Sequence, residues 1–265
     1  MRDWAVRNGL IDMTEKQPLP LLREETGRVL VIAHRGASGL RPENTLAAFR
    51  DALTEGADGL ELDVRATADG ELVVLHDKTV NRTTNGGGNV SGKTAAEVER
   101  LDAGSWFRSE FGNERVPLLR QVLNLTSDGV LLDLEIKEKP GNTLFLHRFV
   151  DLLREQDCTD RVVVTSMNPK VLKRLRDVDA SLRLGPVVTG PYGADLFQSD
   201  FAALACSQEV VDKRCVRRAH ERGIAVWVWT VNDLSRAAKF AELGVDGIIT
   251  NYPGQVREVL RELGF

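Results

Sequence analysis

The stretch that decides the fold of this chain is Val29-Leu30-Val31-Ile32-Ala33-His34-Arg35-Gly36. Its first five residues are apolar and mostly β-branched, which predicts a buried strand, and a histidine and an arginine follow at once. The same succession of apolar and ionisable residues recurs at Val73-Val74-Leu75-His76 and at Val130-Leu131-Leu132-Asp133. Ionisable side chains rarely end buried strands unless something binds them. The pattern therefore predicts one polar site assembled from the ends of several strands.

Strand-like and helix-like segments alternate along nearly the whole chain. The predicted strands span 29–33, 58–63, 129–136, 161–165, 182–188, 201–205, 224–229 and 246–249. The predicted amphipathic helices span 43–55, 117–126, 142–155, 168–177, 208–222, 232–243 and 253–263. This alternation predicts an α/β fold, a (β/α)8 TIM barrel, whose active site lies at the carboxyl ends of the strands. The helix signal is weakest in the fifth unit, at 189–200.

Residues 64–116 interrupt the alternation, because they are too long for an ordinary connection between a strand and a helix. They include a turn signal at Asp69-Gly70, which predicts a short hairpin, and a helical pattern near 94–101. We therefore expect a small inserted subdomain after the second strand, at about 77–116, folded over the barrel mouth.

The domain organisation follows from these boundaries. We expect the barrel to span 29–265 and an N-terminal extension, 1–28, to cap its floor. The apolar residues that suggest this cap are Trp4, Val6, Leu10 and Ile11.

The carboxylates on two of the predicted strands point to a metal site. Side chains alternate between the two faces of a strand, so Glu61 and Asp63 share one face, and Glu135 and Lys137 share another. Such carboxylates repel one another when buried, and a hard divalent cation removes that repulsion. All-oxygen ligation favours Mg²⁺ or Ca²⁺ over Zn²⁺. The alternative is that the acids form structural salt bridges with Arg35 and Lys137.

Composition excludes several classes of partner. The net charge is −4 and the isoelectric point is about 5.7, and lysine and arginine are scattered, so we expect no nucleic-acid binding. The chain has an odd number of cysteines, Cys158, Cys206 and Cys215, and they lack any Cys-x-x-Cys spacing, which indicates free thiols in a reducing compartment. No segment has the length and hydrophobicity of a signal peptide or a membrane span. We therefore expect a cytoplasmic protein without stable membrane insertion; its oligomeric state has no signal in the sequence.

A nucleotide-binding motif occurs out of context. The segment Gly87-Gly88-Asn89-Val90-Ser91-Gly92-Lys93-Thr94 matches the P-loop pattern, which requires a buried strand before its first glycine. The preceding residues 81–85 are polar and typical of a turn. Thr94 and Glu97 have the spacing of a helix capping box, which explains the motif locally, so we expect no nucleotide site.

Several short motifs follow one another in a characteristic order. They are His34-Arg35-Gly36, Pro42-Glu43-Asn44-Thr45, Glu61-Leu62-Asp63-Val64, His76-Asp77, Leu101-Asp102-Ala103-Gly104-Ser105-Trp106-Phe107, Glu135-Ile136-Lys137, Trp229-Thr230-Val231-Asn232 and Asp246-Gly247-Ile248-Ile249-Thr250. Together they resemble the glycerophosphodiester phosphodiesterase family, from about Val29 to the C-terminus. The resemblance implies a TIM barrel with an inserted subdomain, a divalent cation, and hydrolysis of glycerophosphodiesters to sn-glycerol 3-phosphate and an alcohol.

The predicted site residues fall into three groups. They are His34 and His76 as the catalytic acid–base pair, Arg35, Lys137 and Trp229 for the phosphate and the rest of the substrate, and Glu61, Asp63 and Glu135 for the metal. An imidazole can serve as acid or base near neutral pH, and a guanidinium fork suits a phosphate. The sequence leaves open which histidine is the base. It also leaves open whether water or a glycerol hydroxyl attacks phosphorus first.

Two other functions are compatible with the same fold. A lysophospholipase D-like or sphingomyelinase D-like enzyme would need an apolar surface at the mouth, and a catalytically silent barrel would bind a phosphodiester without cleaving it. The complete set of histidines and carboxylates argues against the silent barrel. Met167 follows Ser166 at a position where this family often has an aromatic residue, so the preferred alcohol group of the substrate stays open. We expect a small, soluble glycerophosphodiester as the substrate.

Overall fold

A computed structural model describes residues 16–197 and 200–265, and its centre is a closed barrel of parallel strands. The strands are β1 (Leu30–His34), β2 (Gly59–Ala66), β3 (Leu72–Val74), β4 (Leu131–Ile136), β5 (Val162–Ser166), β6 (Leu184–Val188), β7 (Ala203–Ser207), β8 (Ala225–Trp229) and β9 (Gly247–Thr250). All except β3 pair in parallel with their neighbours, and β1 pairs with both β2 and β9, which closes the barrel. The prediction of an eight-stranded TIM barrel is confirmed.

The described helices lie near the predicted positions, except for Arg23–Thr26, which was not predicted. They are α1 (Arg23–Thr26), α2 (Leu46–Thr54), α3 (Ala95–Val98), α4 (Leu119–Leu125), α5 (Thr143–Glu155), α6 (Pro169–Val178), α7 (Lys213–His220), α8 (Leu234–Leu243) and α9 (Pro253–Glu262). The prediction of a helix from residue 208 was too long, because Asp212 accepts a hydrogen bond from the Cys215 N–H and starts α7 there. After β6 the described residues form a 3₁₀ turn, Ala194–Phe197.

Alternating side chains give the barrel an outer and an inner surface. On β2, Leu60 and Leu62 pack outward in one buried cluster with Phe49 of α2. On β8, Trp227 is fully buried inside the barrel. A Cβ at Gly247 would lie 2.6 Å from the Trp227 ring, so the indole fills the space that this glycine leaves.

The chain before β1 runs beneath the barrel floor. Leu19, Leu21 and Leu22 pack in one cluster with Leu30 and Leu131, the first residues of β1 and β4. The residues from which we predicted a floor cap lie outside the described part of the chain: Trp4, Val6, Leu10 and Ile11.

The long connection between β2 and α4 has a small core of its own. The predicted hairpin at Asp69-Gly70 is confirmed, since β3 pairs antiparallel with β2. The buried residues of this core include Val73, Leu75, Val80, Val90, Val98, Ala103 and Val116. The capping box at Thr94 and Glu97 is also confirmed, and α3 is a single turn rather than the predicted 94–101. Turns, not a strand, precede Gly87, so the P-loop context is missing there.

Among the described residues, no helix combines the length and hydrophobicity that crossing a bilayer requires.

Candidate active site

A cavity of about 90 Å³ opens at the carboxyl ends of the barrel strands. Seven of the eight predicted site residues line it: His34, Arg35, Glu61, His76, Glu135, Lys137 and Trp229. The eighth, Asp63, is fully buried and contacts Arg35 and Lys137. The structure therefore brings together residues from β1, β2, β4 and β8 and from the connection after β3, which are far apart in sequence.

The turn after β1 fixes the first histidine and arginine. Arg35 has a left-handed φ of 57°, and its N–H donates to the backbone oxygen of Glu61 at 2.9 Å and to Oε2 of Glu61 at 3.0 Å. Gly36 follows at φ 81°, and a Cβ there would lie 2.6 Å from the backbone of Ala48 in α2. Only glycine fits this approach, so the chain turns sharply and leaves the side chains of His34 and Arg35 at the strand end.

Three carboxylates form one cluster beneath the cavity. One oxygen each from Glu61, Asp63 and Glu135 lies within 4.8 Å of the others, and the pairing of β2 with β4 sets Asp63 opposite Glu135. Arg35 Nε lies 3.2 Å from Asp63 Oδ2. Lys137 Nζ lies 3.1 Å from Asp63 Oδ1 and 2.6 Å from Glu135 Oε1. Acids and cations of the site are therefore in direct contact.

Burial disfavours the charged form of these carboxylates. It raises the pKa of Glu61 well above its ordinary value, and repulsion from Asp63 adds to the effect. Burial also raises the pKa of Glu135, although Lys137 offsets part of that increase. Asp63 is equally buried, but Arg35 and Lys137 outweigh burial and hold the pKa of Asp63 below its ordinary value. Two of the three carboxylates are therefore short of compensating positive charge.

Structural salt bridges alone explain this cluster incompletely. They account for Asp63, but among the described residues the basic side chain within 4.0 Å of the Glu61 carboxylate is His34, whose Nε2 lies 3.9 Å away and which forms an ion pair only when protonated. Lys137 approaches Asp63 Oδ1 and Glu135 Oε1 without hydrogen-bond geometry, so in the described structure both buried oxygens lack a hydrogen bond. Two of the three converging carboxylates thus carry a buried oxygen without a donor, and such a set of oxygens suits a hard divalent cation.

His34 is held in one orientation. Its Nδ1 lies 2.7 Å from Oδ1 of Asn251, an acceptor, so Nδ1 carries the proton and Nε2 keeps its lone pair. Burial, followed by the positive charge of Arg35, lowers the pKa of His34 to about 4. The ring is therefore neutral at pH 7, and its free nitrogen is a proton acceptor.

His76 begins a chain of charged contacts that runs back to β1. Its Nδ1 lies 2.7 Å from Asp77 Oδ1, and Asp77 Oδ2 accepts a hydrogen bond from Arg82 Nε at 2.8 Å. Arg82 Nη1 also donates to Glu43 Oε2 at 2.8 Å, and Glu43 Oε1 accepts from Arg35 Nη1 at 2.7 Å. The Arg82 guanidinium holds the pKa of Asp77 well below its ordinary range, so the carboxylate stays ionised beside the imidazole. This network couples the inserted segment to the barrel.

The two sides of the cavity differ in chemistry. We call the lining residues His34, Arg35, Glu61, His76, Glu135 and Lys137, with the buried Asp63, the charged half. The apolar half consists of Met167, Val187, Ala205, Trp229 and Ile249. Trp229 Nε1 donates to the backbone oxygen of Ala205 at 2.9 Å, which fixes the indole at the wall. Trp106 and Phe107 do not line the cavity; they pack edge to face within the inserted segment, and Trp106 is 40% exposed.

Comparison with known proteins agrees with this geometry. The family model described as the glycerophosphoryl diester phosphodiesterase family matches residues 34–255, a range that includes all eight predicted site residues. The chain belongs to this family. It is therefore an enzyme of the glycerophosphodiester phosphodiesterase class, which hydrolyses phosphoric diesters.

Individual relatives cover most of the chain. The glycerophosphodiester phosphodiesterase of Caldanaerobacter subterraneus subsp. tengcongensis is 36% identical over 245 residues, which are 89% of this chain and all of that protein. The enzyme of Bacillus altitudinis is 33% identical over 248 residues, 88% of this chain and 98% of that protein. An Oleispira antarctica phosphodiesterase, solved with the product sn-glycerol-3-phosphate, has a TM-score of 0.83 at 31% identity and covers 89% of this chain and 98% of that one.

Three further polar residues belong to the site but were not among the predicted ones. Asn44 Nδ2 donates to Asp63 Oδ2 at 2.8 Å, and Asn251 holds His34. Asp133 lines the cavity, accepts a hydrogen bond from Thr165 Oγ1 at 2.6 Å, and has its pKa raised by burial to about 7. Asn44 and Asp133 stand in the motifs quoted above, so their positions gave a signal. Asn251 had no signal, because a single asparagine after a strand is common in loops.

Proposed function

We propose that the protein hydrolyses glycerophosphodiesters to sn-glycerol 3-phosphate and an alcohol, with His34 and His76 as the base and the acid. The observation that carries this proposal is the meeting of two imidazoles and three carboxylates at one cavity. The Oleispira antarctica phosphodiesterase solved with sn-glycerol-3-phosphate supports the same product.

Charge neutralisation is the first requirement, because a phosphodiester is an anion entering a site that is already rich in carboxylates. Glu61, Asp63 and Glu135 would hold a divalent cation, Mg²⁺ or Ca²⁺, which when bound neutralises phosphate charge and polarises the phosphorus centre. Arg35 and Lys137 would bind the remaining phosphate oxygens from the same side of the cavity.

Proton transfer is the second requirement. His34 is neutral and has its Nε2 lone pair free, so it would take the proton from the attacking hydroxyl while that oxygen bonds to phosphorus. His76, oriented through Nδ1 by ionised Asp77, would give its Nε2 proton to the oxygen of the departing alcohol as the P–O bond breaks. His34 gains one proton and His76 loses one, so proton exchange with the solvent returns both imidazoles to their starting forms.

The apolar half favours a second candidate. Met167 is 55% exposed at the cavity and, with Trp229 and Val187, offers apolar surface to a substrate. A lysophospholipase D-like activity would use that surface for an acyl chain.

One substrate panel separates these functions. Glycerophosphocholine, glycerophosphoethanolamine, glycerophosphoglycerol, lysophosphatidylcholine and bis(p-nitrophenyl) phosphate are compared with and without EDTA, in H₂¹⁸O. We expect kcat/KM for a deacylated glycerophosphodiester to exceed that for lysophosphatidylcholine roughly tenfold or more, with sn-glycerol 3-phosphate as the product. A preference for lysophosphatidylcholine, with a cyclic phosphate product that lacks ¹⁸O, would favour the second candidate and an internal hydroxyl as nucleophile.

A further inference from the structure

Arg65 is a buried cation that the proposed chemistry does not use. It lies on β2, two residues after Asp63, and is 7% exposed. Its contacts are carbonyls: Nε and Nη2 donate to the backbone oxygen of His76 at 2.9 and 2.6 Å, and Nη1 donates to the backbone oxygen of Lys137 at 3.2 Å. Its pKa is lowered because burial outweighs the more distant carboxylates. Burying a guanidinium whose hydrogen-bond partners are carbonyls rather than carboxylates costs free energy of folding, which raises the question of what Arg65 contributes in return.

The two carbonyls belong to segments that come from opposite sides of β2. His76 lies in the connection that follows β3, whereas Lys137 follows the last residue of β4. One guanidinium therefore fixes the backbone on which the imidazole stands and the backbone on which the ammonium stands. The planar fork of arginine reaches both carbonyls at once, which a lysine ammonium, as a single point charge, does not reproduce.

We propose that Arg65 is a positioning residue that holds the His76 imidazole in place for proton donation to the leaving alcohol. The proposal rests on the assignment of His76 as the general acid. A misplacement of a catalytic group by about 1 Å can lower the rate roughly a hundredfold. Asp77 alone restrains the His76 ring but not the backbone beneath it. Arg65 supplies that backbone restraint.

The chain offers a matched control at the barrel floor. Arg183 also donates its guanidinium hydrogens to backbone carbonyls, those of Val162 at 3.2 Å, Leu19 at 2.6 Å and Asp160 at 2.7 Å. Burial also lowers its pKa, here to about 10. Arg65 and Arg183 therefore make the same kind of contact, one beside the cavity and the other at the opposite end of the barrel.

The test compares Arg65→Gln and Arg183→Gln on two substrates. The leaving group of glycerophosphocholine is a basic alkoxide, which needs a proton as it departs. The leaving group of bis(p-nitrophenyl) phosphate is a weakly basic phenoxide, which does not. We expect Arg65→Gln to lower kcat on glycerophosphocholine by roughly tenfold to a hundredfold, with KM changed less than about twofold and bis(p-nitrophenyl) phosphate turnover nearly retained. We expect Arg183→Gln to lower Tm without this substrate selectivity.

Each outcome has a distinct meaning. If Arg65→Gln does not fold, Arg65→Lys keeps the charge and should show the same selective loss, because the fork is gone. If Arg65→Gln and Arg65→Lys turn over glycerophosphocholine as well as Arg183→Gln does, the positioning role is wrong. If His76→Ala itself loses both substrates equally, His76 is not the general acid, and the proposed function fails independently of Arg65.

Discussion

The charged half and the apolar half of the cavity face each other across the barrel mouth, but they differ in the strands that form them and in the physical state of their side chains. The charged half comes from β1, β2, β4 and the connection after β3, and burial, with repulsion from Asp63 added to it, raises the pKa of Glu61 and Glu135. The apolar half comes from the ends of β5 to β9 and is continuous with the barrel core. From this difference we infer that the charged half carries out the proposed reaction and the apolar half selects the substrate, so that substitutions in one half should leave the role of the other unchanged.

The largest effect is expected in the carboxylate cluster. Glu61→Gln, Asp63→Asn or Glu135→Gln should abolish turnover, because each removes a charge from the proposed cation site. Added Mg²⁺ or Ca²⁺ should raise the Tm of the wild type and not of these variants, since only a bound ion stabilises the folded state.

The control for this prediction is Glu138→Gln. Glu138 is the next acid along the chain, but its Oε1 accepts a hydrogen bond from the backbone N–H of Ala66 and is not in the cluster. It should keep turnover and the metal-dependent rise in Tm. Full turnover of the wild type after verified metal removal would show that the charged half needs no cation.

The next largest effect is expected at the two imidazoles. His34→Ala and His76→Ala should each lower kcat by roughly 10²–10⁴, the usual contribution of one acid–base group. Both side chains are partly exposed at the mouth, so the variants should fold. His147→Ala, an exposed position on α5, is the control and should leave kcat unchanged. Near-native kcat in either cavity variant would mean that this histidine has another role.

The sequence revealed the charged half far better than the apolar half, for a physical reason. A His, Glu or Asp inside an apolar strand breaks the expected pattern, so His34, Glu61 and Glu135 were visible without a structure. Val187 and Ile249 in a strand look like ordinary core, and only the barrel geometry brings them to the mouth.

The contacts between segments could not be predicted from the sequence, because the residues that make them do not interrupt a periodic apolar pattern. The path from His76 to Arg35 passes through Arg82 and Glu43, which are surface-type residues in loops and carry no periodic signal. The barrel itself was predictable because its alternating strands and helices repeat along the chain. Helix ends were less predictable, since a cap such as Asp212 outweighs the apolar pattern before it.

A smaller effect is expected in the apolar half. Trp229→Ala should raise KM for glycerophosphocholine about tenfold and change kcat less than about threefold, because in the proposed reaction this wall would contact the substrate and move no proton. Met167→Ala should weaken activity on lysophosphatidylcholine more than on glycerophosphocholine, since the exposed thioether offers surface to an acyl chain. Steady-state kinetics on both substrates checks this. A kcat loss at Trp229 as large as that of His76→Ala would end the division into two halves.

The pH dependence of His34 gives a more modest effect. Its pKa is lowered to about 4, so between pH 6.5 and 4 the folded protein binds fewer protons than the unfolded chain. The free energy of unfolding should therefore fall as the pH drops through that window, and His34→Gln should reduce the fall. The base should also stay neutral at pH 5.5, where an ordinary histidine would be about nine-tenths protonated. Ring-proton NMR of His34 showing a midpoint near 6.5 would contradict this.

The smallest effect is expected at a charge that lies outside both halves. Lys93 sits in the glycine-rich motif, but Thr94 and Glu97 use the end of that motif to cap α3, and Lys93 does not line the cavity. Lys93→Ala should therefore leave phosphodiesterase kcat/KM within about twofold of the wild type, because Lys93 lies outside the cavity lining and salt screens charges near the protein surface. Titration calorimetry with Mg-ATP should show no heat beyond dilution. A micromolar ATP site that Lys93→Ala removes would give the inserted segment a ligand of its own, and the charged half would then no longer account for all the phosphate chemistry of the chain.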